Sequence, residues 1–162
     1  MLSTNWQRCC FGLLAALAGL LAAPAARAEE RQVTVVVVLA TDKNKDIDPK
    51  VKCIAEEVQK LEPGLTGFRL ARTTCKAITI GMPDSFPLLE KEVLGVLLHE
   101  VESKDGKDKQ NPERVRLTIK PPLAGEITYS CCNAKFFPVL TRYKTKDNER
   151  LIVAIMVKPA KK

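Results

Sequence analysis

Residues 33–40 read Val-Thr-Val-Val-Val-Val-Leu-Ala, and this stretch decides the fold. It is rich in β-branched residues and almost continuously apolar, which is typical of a central strand covered on both faces. Residues 151–157 (LIVAIMV) have the same two-sided apolar character. We therefore predict that the first and last strands are neighbours at the centre of a sheet. Four of their residues are predicted to be buried: Val36, Val38, Val153 and Ile155.

One amphipathic helix is predicted directly after the first strand, over residues 48–62. Asp48 is a typical N-cap and Pro49 suits the first helical position, while Pro63-Gly64 ends the helix. Five apolar residues at helical spacing form one stripe, which is expected to cover a sheet face: Val51, Ile54, Ala55, Val58 and Leu61. Cys53 falls on the opposite, exposed face.

Beyond the helix the apolar period changes from 3.6 to two, which predicts seven or eight strands in succession. Residues 115–119 show the alternation most clearly, and residues 86–88 (Phe-Pro-Leu) read as an edge strand because proline cannot donate to a ladder. Residues 103–113 contain no apolar side chain and are expected to form an exposed hairpin loop. The predicted class is α+β, mainly antiparallel sheet, arranged either as a sandwich or as a partly closed barrel.

The first 28 residues are predicted to be a signal peptide for export. They hold Arg8, an apolar stretch over residues 11–23 and the small-residue pattern Ala26-Arg27-Ala28. Such a stretch is too short to span a bilayer, so the protein is not expected to be an integral membrane protein. Residues 29–162 are then a single β-rich domain with a basic C-terminal tail, located in the bacterial periplasm or outside the cell.

Four cysteines remain after the signal, and an oxidising compartment permits disulfides among them. One interpretation is a structural bridge between Cys75 and either Cys131 or Cys132, and the other is that the thiols are free. The adjacent Cys131-Cys132 pair also raises the hypothesis of a soft-metal or thiol-redox site. Neighbouring residues of a strand point to opposite faces, however, so both sulfurs reach one ion only if the backbone turns there.

The positive charge is concentrated at one end of the chain. Residues 29–140 hold 17 basic and 17 acidic side chains, whereas residues 141–162 hold seven basic and two acidic ones. A basic patch of this kind can attract anionic partners, although solubilising charge is the alternative interpretation. The predicted contacts for an anionic partner flank a turn at Asp147-Asn148: Arg142, Lys144, Lys146 and Arg150.

Catalytic and cofactor motifs are not found in the sequence. His99 is the only histidine and lies in a strand pattern without the second histidine of a zinc helix, so we interpret it as an ordinary strand residue. No nucleophile elbow and no phosphate-binding glycine loop occur. Accordingly no catalytic residue, metal ligand or cofactor is predicted, and an enzyme is the less favoured class.

The order of elements resembles that of a family of small, uncharacterised exported bacterial proteins. The shared pieces are the apolar first strand, Asp48-Pro49, Phe68-Arg69-Leu70, Gly81 and Phe86-Pro87-Leu88. The resemblance covers residues 33–157 and implies a β-rich body with one helix. It implies no activity.

These observations favour a non-catalytic binding or structural module of the cell envelope or extracellular space. Its partner is expected to be an envelope protein or an anionic polymer, and not nucleic acid, because no aromatic side chains are interleaved with the basic ones. Two alternatives stay open: a periplasmic metal-binding or thiol-redox protein that uses Cys131 and Cys132, and a carboxylate-dependent hydrolase.

Overall fold

The apolar stretch at residues 33–40 lies in a long strand that is buried on both faces, as its composition predicts. The computed structural model describes residues 29–102 and 114–159. In chain order the elements are β1 (Glu30–Thr41), a 3₁₀ turn (Pro49–Val51), α1 (Lys52–Leu61), β2 (Gly67–Thr79), β3 (Pro83–Pro87), β4 (Val93–Glu102), β5 (Arg114–Lys120), β6 (Ile127–Cys132), β7 (Phe137–Lys144) and β8 (Arg150–Pro159).

The strands form two four-stranded antiparallel sheets, in the orders β2-β1-β8-β7 (sheet 1) and β3-β4-β5-β6 (sheet 2). β1 and β8 are neighbours at the centre of sheet 1, with Val36 opposite Ala154, so this prediction is confirmed. The two sheets pack face to face around a shared core and neither closes on itself. The α+β, mainly antiparallel class is thus confirmed, with an open sandwich rather than a partly closed barrel.

Alternate side chains of β1 lie in two separate hydrophobic cores. Val33, Val35 and Val37 lie in the core between the two sheets, whereas Val36 and Val38 lie in the core between sheet 1 and α1. β8 divides in the same way, because successive side chains of a strand point to opposite faces. The four residues predicted to be buried are therefore buried, but in two different cores: Val36 and Val38 under the helix, Val153 and Ile155 between the sheets.

The helix begins as its sequence indicates. The Asp48 carboxylate accepts a hydrogen bond from the Lys50 N–H (2.9 Å), and Pro49 opens the first turn. Four of the five stripe residues are buried, but Leu61 is 66% exposed, so its assignment to the buried stripe is wrong. It is the last residue of α1, and it is not part of the core in which the other stripe residues pack against sheet 1.

β2 is longer than its apolar pattern suggests. Residues 72–76 are mostly polar and exposed, yet they continue the strand because each is paired with a residue of β1. β3 is an edge strand, as the proline at residue 87 predicts.

Three predictions fall wholly or partly outside the described residues: the signal peptide at residues 1–28, the exposed loop at residues 103–113 and the end of the basic C-terminal tail at residues 160–162. Within the described ranges, no helix has the length and apolarity needed to cross a membrane.

Candidate functional site

Three connections meet at one end of the sandwich, which we call the loop end: residues 42–48 after β1, residues 62–66 after α1 and the β7–β8 turn at residues 145–149. Backbone hydrogen bonds hold the first two together, from the Thr66 N–H to the Thr41 carbonyl (2.9 Å) and from the Phe68 N–H to the Asp46 carbonyl (2.8 Å). The Lys43 ammonium donates to the Asp147 carbonyl (3.0 Å) and so joins the third. The loop end is therefore an ordered surface.

Gly67 allows the 42–48 connection to lie against the start of β2. A Cβ atom at position 67 would overlap the Asn44 side-chain oxygen and lie 2.9 Å from Cγ2 of Thr41. The same Asn44 oxygen accepts a hydrogen bond from the Asp46 N–H (3.2 Å), and this hydrogen bond would break if the Asn44 side chain moved away. Glycine is required here because the two chain segments approach closely.

Gly67→Ala is expected to lower the free energy of unfolding by about 1–3 kcal/mol, since overpacking forces the loop to shift. Urea denaturation measures the change. Adding Asn44→Ala to Gly67→Ala removes the larger overlap and should restore part of the loss. Equal stability of Gly67→Ala and wild type would contradict the close approach of these segments.

A cleft of about 450 Å³ lies at the loop end and is lined by both polar and apolar residues, among them Asp48, Phe68, Arg69 and Glu149. Arg69 holds Glu149 through two hydrogen bonds, from Nε (2.8 Å) and from Nη2 (2.5 Å). This pairing lowers the pKa of Glu149, because the guanidinium stabilises the carboxylate. Glu149 is consequently an anion at neutral pH and a poor proton donor. The Asp48 carboxylate in the same cleft caps the helix.

These contacts bear on the hypothesis of a carboxylate-dependent hydrolase. Such an enzyme needs one carboxyl group that donates a proton and another that stays ionised. Glu149 and Asp48 are both used in structural contacts, the first as an ion-pair partner and the second as a helix cap. Two of the three carboxylates that line the cleft therefore have structural roles, and Asp46 is the third.

The four predicted anion contacts, which we call the basic hairpin, all lie on β7, β8 or the turn between them. Arg142 and Lys144 are exposed and share a face with Leu140, whose side chain packs on the helix side of sheet 1. Lys146 lies in the turn, beyond the end of β7, so strand alternation does not fix its direction. The structure thus places all four residues at the loop end, but strand alternation fixes the side-chain direction of Arg142 and Lys144 only.

Arg150 differs from the other three residues of the basic hairpin. Its guanidinium pairs with Glu62 at the end of α1 (3.0 Å) and also donates to the Thr141 carbonyl (3.2 Å). Arg142, Lys144 and Lys146 have no ion pair with any described residue. A smaller cavity of about 180 Å³ between the hairpin and the helix connection is lined by Lys144, Asn148 and Arg150 among others.

The four cysteines of the described residues are free thiols: Cys53, Cys75, Cys131 and Cys132. Cys75 lies on β2, which contacts β3, whereas Cys131 and Cys132 lie on β6 at the opposite edge of the sandwich, where Tyr129 stacks on Phe137 of β7. The bridge from Cys75 to either residue is therefore not formed, because bridged cysteines need Cα atoms within about 7 Å.

Cys131 and Cys132 point to opposite faces of sheet 2, since Cys131 is buried in the inter-sheet core and Cys132 is only partly covered. Burial raises the pKa of the Cys131 thiol to about 11, which disfavours the thiolate that redox chemistry and metal binding require. Among the described residues, no group of three or more His, Cys, Asp or Glu side chains is placed to hold a metal ion.

His99 belongs to a row of hydrogen bonds on the outer face of sheet 2. Its Nε2 lies 2.8 Å from the Thr118 hydroxyl, which in turn lies 2.6 Å from the Thr128 hydroxyl. The three residues come from β4, β5 and β6, so the row ties neighbouring strands together. This arrangement agrees with an ordinary strand residue.

Comparison with protein-family models, with curated proteins and with solved structures finds no significant match to this chain. The resemblance to small exported bacterial proteins stays a prediction. What the fold itself defines is an open two-sheet sandwich with one helix packed on the outside of sheet 1.

Sequence reasoning missed two features of the loop end. The Arg69–Glu149 pair joins residues 80 positions apart, and no local pattern reports such a pairing. Lys43 lies in a stretch that reads only as a polar turn, yet its ammonium reaches the β7–β8 turn and adds a cation to the basic hairpin. The charged residues directly after the first strand were the only feature of the sequence that could have indicated the Lys43 contact.

Proposed function

We propose that this protein is an exported, non-catalytic binding module that contacts an anionic polymer or surface through the basic hairpin. The single observation that carries the proposal is the division of charges at the loop end. Glu149 and Glu62 are paired with Arg69 and Arg150, so Asp147 in the turn is the one remaining acid of the hairpin, beside three exposed cations that have no ion pair in the described chain: Arg142, Lys144 and Lys146.

Local geometry supports the same proposal. Lys43 lies against the hairpin turn and adds positive charge, and the turn itself is held by a hydrogen bond from the Thr145 N–H to the Glu149 carbonyl (2.9 Å). Each exposed cation alone contributes little in water. Several of them on one ordered surface give a salt-sensitive attraction that extends over the Debye length, about 8 Å at physiological ionic strength.

The double change Lys144→Glu with Lys146→Glu is expected to abolish retention on a dextran sulfate resin at physiological ionic strength. The melting temperature should stay nearly unchanged, because exposed charges at a hairpin contribute little to stability. Elution salt and thermal melting are the two measurements.

Arg114→Glu with Lys120→Glu is the matched control. Both residues are exposed on the outer face of sheet 2, on the opposite side of the sandwich, and the change in net charge is identical. The control should remain bound. If both variants elute at the same salt concentration, total charge alone governs retention and the basic hairpin is only a solubilising surface.

A further inference from the structure

Within residues 29–102 and 114–159 the sandwich has four edge strands, and three of them carry features that block pairing with another chain. Unpaired N–H and C=O groups on an edge are a template for a further strand, and charges, prolines and bulges are the usual protection. β2 carries Arg72 and Lys76 and has a register shift opposite residues 37–38. β7 contains Pro138 and has a register shift between residues 140 and 144.

β3 is protected in two ways. It has prolines at both ends, and the Lys76 ammonium of β2 donates to the Ser85 carbonyl (2.6 Å). This ammonium also lies 5.1 Å from the centre of the Phe86 ring. The β2–β3 side of the sandwich is therefore closed by side chains.

β6 has none of these features. Its sequence, ITYSCC, contains no charge and no proline, and its register with β5 is regular throughout. Within the described residues, the Cys132 carbonyl accepts from the Lys135 N–H (3.4 Å), and no other backbone hydrogen bond is made on the side of β6 that faces away from β5. β6 is thus a flat, neutral, unprotected edge.

Apolar surface lies beside this edge. Ile127 is 41% exposed and Phe137 is 40% exposed, and the Phe137 ring stacks on Tyr129 with 4.2 Å between ring centres. The Tyr129 hydroxyl is buried and has no hydrogen-bond partner in the described chain. The exposed side chains of Ile127 and Phe137 therefore form apolar surface beside the β6 edge.

We propose that β6 pairs antiparallel with β6 of a second copy, which joins two copies of sheet 2 into one continuous sheet around a two-fold axis. Opposed residues of paired strands share a face, so the axis passes midway between the two copies of one residue, either Tyr129 or Ser130. Five residue pairs oppose each other with either centre, which gives about four to six backbone hydrogen bonds between the copies.

The charges that flank β6 point to a second copy as the partner. Glu126 precedes the strand and Lys135 follows it, and both are exposed without an ion pair in the described chain. Antiparallel pairing of two identical strands brings Glu126 of each copy beside the other copy's turn at residues 132–135. Opposite charges therefore meet at both ends, while the neutral strands place no like charges opposite each other.

This inference is independent of the proposed anionic contact, because the basic hairpin lies on sheet 1 at a different surface. Sedimentation equilibrium of the purified protein at high micromolar concentration is expected to give twice the chain mass. Thr128→Lys with Ser130→Lys should raise the dissociation constant of the dimer about tenfold or more, because these lysines oppose each other across the axis centred on Tyr129. Thr73→Lys with Ala77→Lys, which adds the same charge on the edge strand β2, should leave the dimer intact.

A charge exchange separates repulsion from misfolding. Thr128→Glu with Ser130→Glu should also be monomeric alone, and an equimolar mixture of the glutamate and lysine variants should recover the dimer mass. A monomeric wild-type protein, a lysine variant that still dimerises, or a mixture that stays monomeric would each overturn the proposal.

Discussion

Replacing Val153 with aspartate is expected to prevent folding. Val153 is fully buried at the centre of sheet 1, with Val37 opposite it on β1 and Val139 opposite it on β7. Its side chain packs in the core between the two sheets, so a carboxylate there has neither water nor a partner. The expected loss is about 5 kcal/mol or more, which is comparable to the whole stability of a domain of this size.

Circular dichroism and thermal melting of the purified variant test this expectation. Lys158→Asp is the control, because Lys158 is exposed on the same strand and tolerates a carboxylate in water. The control should melt cooperatively near the wild-type temperature. A Val153→Asp protein that melts cooperatively at that temperature would show that β8 is not a central strand of sheet 1.

Ile54→Ala is expected to lower the free energy of unfolding by about 2–5 kcal/mol. Ile54 is 2% exposed and packs in the core between α1 and sheet 1, alongside Phe68 and Ile152. Removing its methyl groups loses the free energy of burial and leaves a cavity that the neighbouring strands cannot fully close. Urea denaturation, with linear extrapolation of the free energy, measures the change.

Leu61→Ala is the matched control for this prediction. Both residues are aliphatic, of equal size and on the same helix, but Leu61 is 66% exposed. Its removal should cost less than about 0.5 kcal/mol, as is usual for surface positions. If the two variants lose equal stability, α1 is not docked on sheet 1 through the Ile54 side.

The contrast between these two residues shows where the sequence pattern stops being informative. Helical spacing places Ile54 and Leu61 on one stripe, and nothing local distinguishes them. Only the position of the helix end relative to the sheet leaves Leu61 in water. The spacing of apolar residues identifies one face of a helix, but burial of each residue depends on what lies opposite that face.

The cysteines illustrate the same limit. An even count and an oxidising compartment are compatible with a bridge between Cys75 and the pair at 131–132, yet strand order places them at opposite edges of the sandwich. Strand order depends on which sheet each hairpin joins, and this cannot be predicted from composition. The basic hairpin was visible in the charge count, but the contacts of Arg150 with Glu62 and of Lys43 with Asp147 were not.

The sequence by itself determined the elements and their chemical character: a two-sided apolar first strand, its counterpart at the end of the chain, and the Asp48-capped helix between the first strand and a series of alternating strands. These follow from local periodicity and from backbone preferences of individual residues. Tertiary structure alone decided the strand order, the division into two cores, the Arg69–Glu149 pair and the unprotected edge at β6. Each of these depends on contacts between segments far apart in the chain, and such contacts are set by how whole sheets pack rather than by any short stretch of residues.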